Sequence, residues 1–133
     1  MDFSLNEEQR MLIRTLQTMG EREKLKERAA QIDRSGEFPV DLLEKYGEMG
    51  LLGMTLSPDY GGGGQPALHA LLAIEEMAKY SPIIAGPIFE SNVGPVRVID
   101  MFGTEEQRKT IVPGVCKGEL SVSVCMTEPE AGS

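Results

Sequence analysis

The sequence predicts an all-α domain that ends in one short β-type segment, and three observations carry this fold class. Apolar residues recur at helical spacing over the first two-thirds of the chain. Two capping boxes, Ser4-Leu5-Asn6-Glu7 and Thr104-Glu105-Glu106-Gln107, mark helix starts, because each side chain satisfies amides that the first turn leaves free. From Leu120 to Cys125 the pattern changes to alternation, Leu-Ser-Val-Ser-Val-Cys, which is the period of a strand.

Each element follows from its residues. The Ser4 box opens a first helix in which Leu5, Leu12, Ile13, Leu16 and Met19 share a face. Gly20 is expected to separate it from a second, highly charged helix that reaches about Arg34 and ends at Ser35-Gly36. Pro39 takes the first position of a short amphipathic helix with Leu42, Leu43, Tyr46 and Met49, stopped by Gly50. An apolar stretch, Leu51 to Leu56, leads to Ser57-Pro58-Asp59-Tyr60 and the run Gly61 to Gly64. That run lacks the Lys-Ser/Thr of a phosphate loop and the strand–helix setting of a dinucleotide fingerprint, so a flexible inter-helix loop is expected. The next helix spans Pro66 to Tyr80, with Leu68, Leu71, Leu72, Glu75 and Met77 in its body. Ser81-Pro82 opens the most apolar segment, Ile83 to Met101, which Pro87 and Gly94-Pro95 must disturb. The last helix starts at the Thr104 box and ends near Pro113 or Val115, before Lys117-Gly118 turns the chain. Five or six helices followed by a lone strand leave a row of unpaired backbone groups. Partner strands are therefore expected beyond Ser133.

Composition narrows the function classes. At 133 residues the chain forms one domain, and such a domain buries roughly two-thirds of its unfolded surface. No run of 18 apolar residues is long enough for a membrane span. Met1-Asp2-Phe3 has no basic or apolar leader character, so a cytoplasmic protein is expected. The net charge of −8 argues against nucleic acid, since phosphate binding draws on clustered Lys and Arg. Arg22, Lys24, Lys26 and Arg28 alternate with Glu21, Glu23 and Glu27, a solvated helix face with near-neighbour ion pairs. Cys116 and Cys125 lack a His pair, so buried small hydrophobes are expected and no metal site. His69 is the single histidine and reads as structural.

The tail carries the chemistry. After the alternating stretch comes Met126-Thr127-Glu128-Pro129-Glu130-Ala131-Gly132-Ser133, where hydroxyls and free amides meet at a turn. Oriented backbone N–H groups favour anionic oxygens, which suits the pyrimidine edge and pyrophosphate of a flavin nucleotide. Together with Phe3-Ser4-Leu5-Asn6-Glu7-Glu8-Gln9, Pro58-Asp59-Tyr60-Gly61-Gly62, Phe102-Gly103-Thr104-Glu105-Glu106-Gln107, Pro113 and Lys117-Gly118-Glu119, this tail resembles the acyl-CoA dehydrogenase family, colinearly over the whole chain. The family motif reads Thr-Glu-Pro-x-Ala-Gly-Ser-Asp, and here the sequence stops before the Asp.

The resemblance implies an orthogonal multi-helix N-terminal domain over residues 1–118. Residues 119–133 would start a β-barrel domain, and a C-terminal helical bundle would follow. It implies FAD as cofactor, an acyl-CoA substrate, an electron-transferring flavoprotein as partner and a homotetramer, in fatty acid metabolism. The expected reaction removes the α-proton and passes the β-hydride to flavin, leaving an enoyl-CoA. Val124, Cys125, Met126, Thr127, Glu128, Pro129, Glu130, Ala131, Gly132 and Ser133 would line the flavin. Thr127 would stand at the pyrimidine edge, with the Met126 amide a further contact. Ser133 would lie near the pyrophosphate, and also near the CoA part of the substrate. Glu90 falls in the apolar helix that lines the distal end of the family's acyl pocket, where Gly94 and Pro95 would widen the cavity. No residue here is assigned as catalytic base: Glu128 is fixed in the motif, but the family uses a carboxylate in the C-terminal bundle. Two positions depart from the family, Glu130 where a small or polar residue is usual and Val124 where many members have an aromatic ring. Rival readings are a non-catalytic helical subunit or interaction module, and a related flavin oxidase or monooxygenase. The 133-residue segment alone is expected to be inactive.

Overall fold

Seven α-helices and one turn of 3-10 helix make up the computed structural model, which describes residues 4–132. They are α1 (Glu7–Arg22), α2 (Leu25–Ser35), α3 (Val40–Glu48), the 3-10 turn (Pro58–Tyr60), α4 (Ala67–Ala78), α5 (Pro82–Asn92), α6 (Pro95–Phe102) and α7 (Glu105–Lys117). Helix α4 is central, packed on α1 on one side and α5 on the other, while α6 and α7 pair at the far end. The main core joins Leu16, Met19, Leu25, Leu42, Tyr46, Ala73, Met77, Ile84 and Ile88. A smaller core holds Leu56, Val96, Val112 and Val115. No helix among the described residues is long and apolar enough to cross a membrane.

The caps show how residue chemistry sets the boundaries. Thr104 accepts from the Gln107 amide at 3.2 Å and Gln107 returns the bond to the Thr104 amide at 2.8 Å, as the sequence predicts. At the first helix the box is shifted: Asn6 and Gln9 form it, not Ser4 and Glu7, with bonds of 2.8 and 3.0 Å. Asn at this position caps as well as Ser, and Gln completes the reciprocal bond as Glu would. Gly20 does not break α1. It sits inside the helix because the Tyr80 ring occupies the space a side chain would need. The break comes at Lys24, the one non-glycine residue of positive φ (51°) among the described residues.

The glycine run corrects one further expectation, and the apolar stretch meets another at Gly94 but departs from it at Pro87. The run Gly61–Gly64 is not a loose loop: Gly62, Gly63, Gly64 and Gln65 donate their amides to the carbonyls of Ser57, Gly53, Leu56 and Met54 at 2.7–3.0 Å. A Cβ on Gly62 would strike the Leu56 carbonyl and one on Gly63 would lie 2.8 Å from the Met54 carbonyl oxygen, so close backbone approach requires both glycines. The apolar stretch 83–101 divides at Gly94, giving α5 and α6. Pro87 and Pro113 both stay inside helices, held by buried neighbours such as Ile84 and Ile88, and Val112 and Val115. Burial of these side chains outweighs the one backbone bond that each proline removes.

Gly118 ends α7 in the left-handed region (φ 78°), its amide returning to the carbonyls of Gly114 and Val115. Beyond it the predicted strand is not formed: residues 120–127 have no regular structure, and the single β pairing among the described residues is an isolated bridge, Glu128 to Ala131. The alternating pattern is real, but a strand exists only through hydrogen bonds to a neighbouring strand, and among the described residues none pairs with it.

Candidate functional site

The predicted flavin-lining residues form an exposed segment that leaves the helical body at Gly118. Every described member, Val124 to Gly132, is exposed, with Met126 at 83% and Val124 at 56%. Ser133 lies outside the described residues. The turn Glu128-Pro129-Glu130-Ala131 closes on itself: the Glu128 amide donates to the Ala131 carbonyl at 2.7 Å and the Ala131 amide returns at 3.2 Å. Those two amides are therefore committed. The amides of Met126, Thr127, Glu130 and Gly132, and the Thr127 hydroxyl, make no hydrogen bond within the described residues. Gly132 faces back onto Thr127, a Cβ there lying 3.8 Å from the Thr127 methyl.

This arrangement fits the polar edge and planar ring of a flavin. Several donors are unspent on one short segment, and the apolar side chains of Val124 and Met126 lack any cover of their own. Glu130 projects a charge from the turn, in the same exposed surface.

Glu90 lies elsewhere, half-buried on α5. It borders a crevice of about 10 Å³ together with Leu43, Leu52, Pro87, Ser91 and Val115, closed by Leu120, Ser121 and Val122 of the departing segment. The structure thus brings Glu90 beside residues 120–122, and no hydrogen bond or ion pair joins it to residues 124–132. Its carboxylate has no hydrogen-bonding or ionic partner among the described residues. The serine next to it, Ser91, donates its hydroxyl to the Ile88 carbonyl at 3.4 Å.

Sequence reasoning missed the polar cluster that fixes this end of α5. Asn92 is fully buried, and its Nδ2 donates to the carbonyls of Leu51 and Ile88, each at 2.8 Å. Its Oδ1 accepts from the Thr55 amide at 3.1 Å, and the Thr55 hydroxyl donates to the Asn92 carbonyl at 2.6 Å. Arg97, paired with Asp100 at 2.6 Å, donates to the Thr55 carbonyl at 3.0 Å. An asparagine inside the most apolar stretch was the available signal, since a buried amide persists only when its bonds are made. Tyr46 adds a second tie, donating to the Ile84 carbonyl at 3.0 Å, and burial pushes its phenol well above the ordinary value.

The remaining candidates are His69 and the two cysteines. His69 is buried on α4 with both ring nitrogens unpaired among the described residues. Cys116 is buried beside Gly53, as expected, and its thiol is raised by burial, while Cys125 is exposed, against the expectation that both are buried. Among the described residues no three His, Cys, Asp or Glu side chains gather as metal ligands.

Known proteins share this architecture. The model of the acyl-CoA dehydrogenase N-terminal domain matches residues 6–119. A 3-sulfinopropanoyl-CoA desulfinase of Paraburkholderia xenovorans is 35% identical over 98% of this chain and 33% of its own length. The crystal structure of an acyl-CoA dehydrogenase from Geobacillus kaustophilus superposes with a TM-score of 0.88 at 28% identity, covering 100% of this chain and 34% of that one. An acyl-CoA dehydrogenase from Bacillus anthracis, solved in complex with FAD, gives 0.74 at 28% identity over 97% of this chain and 22% of its own. The chain spans about a third of the length of the curated relatives it matches.

Proposed function

This chain belongs to the acyl-CoA dehydrogenase family, and on that premise we propose that it is the N-terminal part of an FAD-dependent oxidoreductase acting on acyl-CoA thioesters. Residues 1–118 form its helical domain and residues 119–133 begin its β domain. The observation that carries this reading is the exposed segment 124–132, in which the amides of Met126, Thr127, Glu130 and Gly132 and the Thr127 hydroxyl make no hydrogen bond within the described residues.

In this reading the Thr127 hydroxyl and the amides of Met126 and Thr127 hold the polar edge of the flavin. Val124 and Met126 cover its ring and exclude water. Ser133 serves the pyrophosphate and the neighbouring CoA. Bound FAD supplies the acceptor for the hydride from the acyl β-carbon. The α-proton goes to a carboxylate outside this segment, in the C-terminal bundle that the resemblance implies. Donors preorganised at the thioester oxygen would lower the cost of the developing negative charge. The helical domain contributes one wall of the acyl pocket through α5. The whole protein is proposed to be a cytoplasmic homotetramer that passes electrons to an electron-transferring flavoprotein.

The test is the absorbance spectrum of protein made from the full-length gene, followed by anaerobic titration with acyl-CoA esters. A yellow protein that bleaches with one class of ester, and a Thr127→Ala variant that retains less FAD, support the reading. A colourless full-length protein that FAD does not reconstitute replaces it with the helical interaction module.

A further inference from the structure

Helix α7 carries Pro113 and Gly114 in succession, two residues that weaken a helix interior. The glycine has a packing reason. A Cβ built on it would lie 2.6 Å from Cδ1 and 2.9 Å from Cγ of Leu120, so the Leu120 side chain fills the notch that the missing one leaves. The backbone is held at the same place, since the amides of Glu119 and Leu120 donate to the Gly114 carbonyl at 2.9 and 3.1 Å. Two residues on, Val122 packs against the smaller core of Leu56, Val96, Val112 and Val115. The end of α7 is itself seated on α3, with Gly47 against the Lys117 carbonyl and Gly118 against that of Leu43.

This seat does little for the core, because Leu120 remains 45% exposed. A contact that buries little apolar surface, and for which a helix gives up a side chain, serves position more than stability. What it positions is the start of the segment with the unspent donors. Extended, residues 120 to 127 span about 23 Å, so a tilt of about 3° at Leu120 moves Thr127 by about 1 Å. A displacement of that size is enough to loosen a binding constellation.

We propose that Leu120, seated on Gly114, is a positioning residue for the flavin. It fixes the direction in which the chain leaves α7, and through it the placing of Met126 and Thr127 against the cofactor. This rests on the flavin reading above and goes further by naming a pair of residues outside the flavin-lining segment that tie it to the helical body.

The experiment uses the full-length protein with FAD itself as the probe. Flavin fluorescence gives the dissociation constant and the visible absorption bands report the surroundings of the bound ring. Leu120→Ala should raise the FAD dissociation constant by roughly tenfold or more and shift the bands. Gly114→Ala tests the same contact from the other side. It improves the helix and displaces only the end of a flexible side chain, so Tm should hold or rise while FAD binding weakens by a similar factor. Leu120→Met can re-enter the notch and should return FAD binding to within about twofold of the wild type. Unchanged FAD affinity and bands in Leu120→Ala or in Gly114→Ala, whatever the Tm, overturn the proposal, and so does a Leu120→Met variant as weak as Leu120→Ala. Failure of the underlying reading looks different: the wild-type full-length protein takes up no FAD.

Discussion

Both the helical body and the segment after Gly118 carry large apolar residues, and both leave some of them exposed, but only the body fully buries any. Leu16, Tyr46, Ile84 and Ile88 are fully buried, whereas Leu120, Val124 and Met126 remain 45%, 56% and 83% exposed. The same contrast holds for the backbone. Helical amides are satisfied within their own segment, while those of Met126 and Thr127 have no partner in the described residues. A helix completes its hydrogen bonds locally and needs neighbours only for its apolar stripe. A strand-type segment needs a neighbour for both, so it depends on chain or ligand that lies elsewhere. The body should therefore respond to mutation as a finished domain and the segment should not.

The largest test of this contrast is Leu16→Ala, which removes a fully buried side chain from the α1–α4 seam. Chemical denaturation should show a loss of about 2–5 kcal/mol. Asn92→Ala comes next. It strands the Thr55 amide and the Leu51 carbonyl, and the expected loss is about 2–3 kcal/mol in the same assay. Thr104→Ala deletes half of a capping box on an exposed helix start and should lower stability by about 1 kcal/mol.

A smaller effect concerns acid. The bidentate bond from Arg28 holds the Asp41 carboxyl below its ordinary value. A depressed carboxyl contributes stability that is present above its unfolded pKa and lost as pH falls through the lower folded value. Asp41→Asn should therefore show a reduced Tm near neutrality, converging with the wild type as the buffer is taken below pH of about 4. Smallest of all is Met126→Ser. It should change the Tm of the 133-residue chain by less than its scatter, since nothing covers Met126, yet weaken FAD retention in the full-length protein. A large loss of Tm in the short chain would break the comparison.

Much of the body was legible in sequence because its signals are local. The Thr104–Gln107 box, the Ser81-Pro82 start and the Gly36 stop each act within a few residues, and all lie where the pattern puts them. What escaped depends on partners distant in the chain. Gly20 was misread as a break because the reason for it is Tyr80, sixty residues away. Gly61–Gly64 looked loose because its pairing with residues 53–57 leaves no periodic mark. The strand at Leu120 carried the right alternation, but alternation does not supply a neighbour. In the site, the tail motif and Glu90 are expectations from sequence that enter the proposed function. The Asn92–Thr55–Arg97 cluster could not, since it assembles residues from three separate segments.

The paired glycine run has a practical consequence for labelling and for dynamics. A stretch of four glycines invites use as an insertion point for a tag or a fluorophore. Here the amides of Gly62 to Gln65 should instead be among the slower loop positions in hydrogen–deuterium exchange, because each is closed by a backbone bond. An insertion would prise apart that pairing and pull on the α3–α4 junction. The tolerant site is Gly36–Phe38, exposed, with open space around Gly36 and a natural helix end before it.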